Sequence, residues 1–120
     1  FATLGVGFAN TVSCSSAFGG SGVCLGDGTR EVPMPRDGKL VSLAVSTFLN
    51  NLNNVAEITV IVNGADTALQ LQVPAGSTSV QTILTDVSVQ AGDLVLLETD
   101  ATAASSGNIR FTATFEYQAE

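Results

Sequence analysis

The sequence contains no histidine and no tryptophan, only one tyrosine, and two cysteines in 120 residues. Lack of histidine removes the ordinary Ser-His and Cys-His nucleophile pairs. Basic side chains are scarce as well: four Lys and Arg stand against eleven Asp and Glu, for a net charge of -7. That balance argues against nucleic acid or an anionic membrane surface as partner. The charged fraction of 12% is about half of the ~25% usual in globular chains. No apolar run approaches the ~18 residues of a membrane span, so membrane insertion is not expected. No helical amphipathic stretch of useful length is visible.

Hydrophobic residues make up 45% of the chain, and Thr, Ser, Asn and Gln carry most of the remaining polarity. The length suits one domain, and folding would bury roughly two thirds of the extended chain's surface. The chain opens at Phe1 and not at Met, as expected of a processed chain or a fragment.

Alternation with period two dominates. Leu69, Leu71 and Val73 alternate with Gln70 and Gln72. Ile109, Phe111, Ala113, Phe115 and Tyr117 alternate with Arg110, Thr112, Thr114 and Glu116, the clearest strand in the sequence. Ile58, Val60 and Val62 form a third row, with Ile61 adding apolar surface on the opposite face. Val41, Leu43 and Val45 interleave with Leu40 and Ala44. Strands that are apolar on both faces belong inside a sandwich or against a neighbouring subunit.

Turn signals fall between these runs. Asn63-Gly64 is a strong hairpin dipeptide, and Asp37-Gly38, Pro74-Ala75-Gly76 and Ala91-Gly92-Asp93 punctuate the others. Residues 101–108 read as a loop, as do residues 46–57 with their Asn cluster. The expected fold is an all-β antiparallel sandwich of about eight strands. Residues 1–28 differ in texture, reading as an N-terminal strand or connector with a Gly/Ser-rich loop, and residues 29–120 as the sandwich. Leu4, Val6 and Phe8 alternate loosely, either as a first strand of the sandwich or as a segment added to another subunit's sheet edge.

Cys14 and Cys24 bracket that Gly/Ser-rich loop. With no histidine to share a metal site, the pair suits a disulfide, the other reading being two separate buried thiols. A bridge would contribute about 2–3 kcal/mol by closing the loop and would point to an oxidising, extracellular location. No metal or cofactor is expected. Asp27, Asp37, Asp66, Asp86, Asp93 and Asp100 lie at expected turns or strand ends, where Asp has its own conformational reason to occur. Asp93, Glu98 and Asp100 are the one acidic cluster, yet a glycosidase would also need aromatic cleft walls. The cluster Asn50-Asn51-Leu52-Asn53-Asn54 offers polar groups for a glycan but no stacking ring. No Asn begins an Asn-X-Ser/Thr acceptor.

Val32-Pro33-Met34-Pro35-Arg36-Asp37-Gly38-Lys39-Leu40-Val41-Ser42-Leu43 resembles the strand entry of C-terminal domains in bacterial collagen-like exosporium glycoproteins, the BclA/BclB group. Val62-Asn63-Gly64, Pro74-Ala75-Gly76-Ser77 and Val89-Gln90-Ala91-Gly92-Asp93 are similar to turn blocks of such domains and of small trimeric heads on phage fibres. The resemblance covers about residues 32–118. It implies a jelly roll of the complement and tumour-necrosis-factor type, a homotrimer on a spore or cell surface, and no catalytic residues. The chain departs from that family in lacking a Gly-X-Y repeat and in carrying the Cys pair.

The expected function is therefore a non-enzymatic structural subunit of an extracellular fibre, pilus-like appendage or spore surface, whose partners are copies of itself or a coat protein. Phe1, Leu4, Val6 and Phe8 are the expected inter-subunit contacts. The alternative is a trimeric head that binds a receptor or surface glycan.

Overall fold

The computed structural model describes residues 32–120 in full and the backbone of residues 2–9 and 13–16; Phe1, residues 10–12 and residues 17–31 lie outside this description. The described residues form strands β1 (Ala2–Ala9), β2 (Ser13–Ser16), β3 (Val32–Pro33), β4 (Gly38–Asn50), β5 (Ala56–Val62), β6 (Ala65–Val73), β7 (Val80–Val89), β8 (Leu94–Asp100) and β9 (Ile109–Ala119). Two antiparallel sheets face each other, sheet A in the order β1-β9-β4-β7 and sheet B in the order β2-β8-β5-β6, with β3 also paired to β8. From β3 onward the chain crosses between sheets at every connection except the β5–β6 hairpin. That is the connectivity of a jelly roll.

Period-two alternation places one side chain of every two in the core between the sheets. Ile109, Phe111, Ala113, Phe115 and Tyr117 of β9 are all buried, packed with Ile58, Val60, Leu69, Val73, Val95 and Leu97 of sheet B. Burying a Leu, Ile or Phe side chain contributes roughly 1.5–3 kcal/mol. Ile61 and Leu96 are cross-strand partners, buried but outside the core cluster. Apolar residues therefore occupy both faces of β5.

β4 departs from the simple alternation. Leu40 and Leu43, three residues apart, are both fully buried, because a bulge between Leu40 and Ser42 shifts the register with both neighbours. An extra residue in one strand reverses the parity of all that follow. The mixed pattern of residues 40–45 thus reflects one core row interrupted by a bulge, with Ala44 and Ser46 left on the outer face. Residues 46–57 are not a long loop. β4 continues to Asn50, paired with β9 through Ile109, and its Thr47 is buried.

Candidate functional site

Met34-Pro35-Arg36-Asp37-Gly38 lies where the chain passes from sheet B to sheet A, at the centre of a hydrogen-bonded hub. Met34 is buried in the core. Its amide donates to the Asp93 carbonyl and its own carbonyl accepts from Gly92 N, both at 2.8 Å. The Asp37 carboxylate accepts from Ala91 N at 2.9 Å, across 54 residues of sequence. The Arg36 guanidinium donates to the Glu120 carbonyl at 3.2 Å. Gly38 packs so closely on β9 that a Cβ there would overlap Gln118 O and come within 2.8 Å of Tyr117 Cε2. Each residue of the pentapeptide that forms these contacts ties the β7–β8 turn or β9 to the start of β4.

Asn63 brings the β5–β6 hairpin tip into the same hub. It is the one non-glycine residue of positive φ among the described residues, at 52°, followed by Gly64 at 80°. These values suit the left-handed two-residue turn of a hairpin. Its side chain donates from Nδ2 to Asp93 Oδ1 at 3.0 Å and accepts from Leu94 N at 2.9 Å. The second Asp93 oxygen accepts from Gln90 N at 2.8 Å. The Gln90 amide first, and the Asn63 amide second, hold the Asp93 carboxyl below its ordinary value.

At the opposite end, the Asn cluster is consumed by the fold. The side-chain oxygens of Asn50, Asn51, Asn53 and Asn54 accept from the backbone amides of Leu52, Asn108, Ser105 and Val55 respectively. Asn50 Nδ2 also donates to Pro74 O and Ser77 O, each at 3.0 Å. Asn51 and Asn53 thus seal the β4–β5 loop to the β8–β9 loop, Asn50 ties it to the β6–β7 connection, and Asn54 bonds within it, so all four side-chain oxygens already serve the fold. Asp93 and Asp100 stand at opposite ends of β8, about 23 Å apart at ~3.3 Å per residue, so they do not form a carboxylate pair. Asp100 accepts from the Thr102 hydroxyl at 2.6 Å and the Thr102 amide at 2.9 Å. These bonds, the hydroxyl's first, lower its pKa. Among the described residues, no three His, Cys, Asp or Glu side chains are grouped to hold a metal ion.

The outer face of sheet A is nearly uncharged at its centre. Register pairs Thr112, Ser46 and Val80 in one row, Thr114, Ala44 and Thr82 in the next, and Glu116, Ser42 and Leu84 in a third. Val80 is 69% exposed, Leu84 78%, and Phe48, beside the second β4 bulge, 60%. Lys39 and Asp86 stand 3.6 Å apart at the far end of the face. Sequence reasoning passed over Val80, Leu84 and Phe48. The signal for the first two was the run Val80-Gln81-Thr82-Ile83-Leu84, where apolar residues fall on both parities.

Backbone pairing sets Leu4, Val6 and Phe8 opposite Thr114, Thr112 and Arg110 of β9. Leu4 and Val6 therefore occupy register positions in the two uncharged rows. Phe1 lies outside the described residues, and the side-chain contacts expected of all four residues are not part of that description. Cys14 lies on β2, paired with Thr99. Cys24, and with it the expected bridge, falls outside the described residues.

No protein-family model and no curated protein matches the sequence. Solved structures do match. A chain of the acidic stable capsid structure of Helicobacter pylori bacteriophage KHP30 superposes with a TM-score of 0.59 at 14% identity, covering 97% of this chain and 86% of that one. A Podospora anserina GH26-CBM35 β-(1,4)-mannanase matches with a TM-score of 0.45 at 14% identity, over 97% of this chain and 28% of that one. The second similarity is too weak to bear weight. The first is one of fold: the two chains share a β-sandwich architecture, which in this chain is a two-sheet jelly roll. No helix among the described residues is long and apolar enough to cross a membrane.

Proposed function

We propose that the chain is a non-enzymatic structural subunit that assembles with copies of itself into an extracellular bacterial fibre, appendage or spore-surface layer. The observation that carries this reading is the outer face of sheet A, where Val80, Leu84 and Phe48 stand exposed around a floor of Ser, Thr and Ala. Three large apolar side chains left exposed on one sheet face, with small uncharged residues between them, are surface that a partner can cover. A second copy suits it, because two chains of net charge -7 repel least where their surfaces carry little charge, and the two central rows of the face hold no ion that contact would have to desolvate.

The backbone of β1 lies beside β9 at the edge of the same sheet, with Leu4 and Val6 at the register positions of Thr114 and Thr112, and residues 1–12 are the segment that would link one subunit to the next. The capsid fold of the phage neighbour supports a building-block role. The resemblance of residues 32–43 to exosporium glycoproteins supports the location on a spore or cell surface.

Light scattering and negative-stain microscopy of the non-reduced protein test the reading. A discrete three-chain species or long polymers are expected, and Leu84→Asp with Val80→Asp should reduce both to single chains that remain folded. Deleting residues 1–12 should abolish long polymers while the sandwich persists. A wild-type monomer at high concentration would overturn the assembly reading, and intact fibres from the deletion would overturn the linking role.

A further inference from the structure

We propose that Asn63 is a spontaneous deamidation site held shut by the Asp93 carboxylate and the Leu94 amide, and that its modification irreversibly releases the β5–β6 tip from the hub. Asn63 is the chain's one asparagine followed by glycine, and it is exposed to the water the reaction consumes. Glycine carries no Cβ to shield its backbone nitrogen. The Gly64 nitrogen can attack Asn63 Cγ, forming the N–Cγ bond of a succinimide while the Cγ–Nδ2 bond breaks. The Gly64 amide proton leaves with the departing amino group as ammonia. Water then opens the ring at either carbonyl, leaving aspartate or isoaspartate.

The folded structure opposes the first step. The Asn63 amide group is tied at both ends, Nδ2 to Asp93 and Oδ1 to the Leu94 amide, while its backbone N donates to Leu94 O at 2.8 Å. Three bonds to the start of β8 hold Cγ in place, so cyclisation must wait for local opening of the hairpin tip.

The product cannot restore the clamp. A carboxylate at position 63 offers an acceptor where Asp93 requires a donor, and two like charges face each other. The isoaspartate form also adds a methylene to the backbone of a two-residue turn. Asp93 further caps Gln90 N and accepts from Met34 N through its carbonyl, so the loosening reaches the start of β4. The reaction is an ageing step built into the hub, separate from the assembly face of sheet A.

The full chain incubated in warm, mildly alkaline buffer, natively and in urea, supplies the test, read by peptide mass mapping of the NH2-to-OH exchange at Asn63. Native deamidation should be at least tenfold slower than in urea, and Asp93→Ala should speed the native reaction several-fold; Asp93→Asn, which keeps an oxygen facing Nδ2, should speed it less. Equal rates with and without urea, or no acceleration in Asp93→Ala, would overturn the clamp. Should Asp93→Ala fail to fold, Asn63→Asp carries the test: several-fold faster amide exchange at Gln90 and Leu94 is expected, and unchanged exchange would overturn the release.

Discussion

The Tyr117 hydroxyl donates to the Arg36 carbonyl oxygen at 2.6 Å, joining residues 81 positions apart. The ring is buried with the β9 core row while its oxygen secures the backbone at the entry to β4. One side chain thus closes the core and anchors the pentapeptide. Replacing Tyr117 by Phe keeps the packing and leaves the carbonyl without this donor. A loss of about 1 kcal/mol is expected, read from the urea midpoint of unassembled protein.

Gly107 has φ of +103°, and a Cβ there would overlap the Asn51 carbonyl oxygen and lie within 2.6 Å of its carbon. Both the backbone angle and the space exclude a side chain. Gly107→Ala should cost about 3 kcal/mol and detach the β4–β5 loop from the β8–β9 loop. Faster amide exchange at Asn51, Asn53 and Asn108, whose amides are bonded across that junction, would report it.

Thr47 is buried, and its hydroxyl has no hydrogen-bond partner among the described residues. Valine has the same branched shape without the hydroxyl. Thr47→Val should stabilise the sandwich by about 1 kcal/mol, visible as a higher thermal midpoint. A lower midpoint would mean that the hydroxyl is satisfied.

Acid should loosen the two ends of β8. The folded-state pKa values of Asp93 and Asp100 are both depressed, the first chiefly by the Gln90 amide and the second by the Thr102 hydroxyl. Groups depressed in this way contribute stability that is fully present above the unfolded value of ~3.9 and is lost as pH falls through the lower folded values. Urea midpoints measured from about pH 5 to about pH 2 should therefore fall. The double variant Asp93→Asn, Asp100→Asn should show a shallower fall.

Some elements were legible from short stretches of sequence and others were not. β9 was plain because its five inward positions are apolar and its outward ones polar, so local alternation and tertiary burial agree. The Asn63-Gly64 turn was plain because few dipeptides accept two positive φ angles. The end of β4 was obscured because Asn50 belongs by composition to a polar loop, yet it is the last pairing position on β9. The Leu40 bulge was hidden because parity breaks when one residue is inserted, and no local signal marks which residue that is.

The candidate surface divides in the same way. Strand existence, turn positions, and the lack of histidine chemistry follow from residue type and period two, which act over a few neighbouring residues. Which strands share a sheet, that Asp37, Asn63, Asp93 and Tyr117 meet at one end, and that Val80 and Leu84 are left uncovered while Ile83 packs against the core were decided by tertiary structure. Those outcomes depend on hydrogen bonds and packing between residues tens of positions apart. The energy of such contacts is realised only once both sheets have formed and chosen their register.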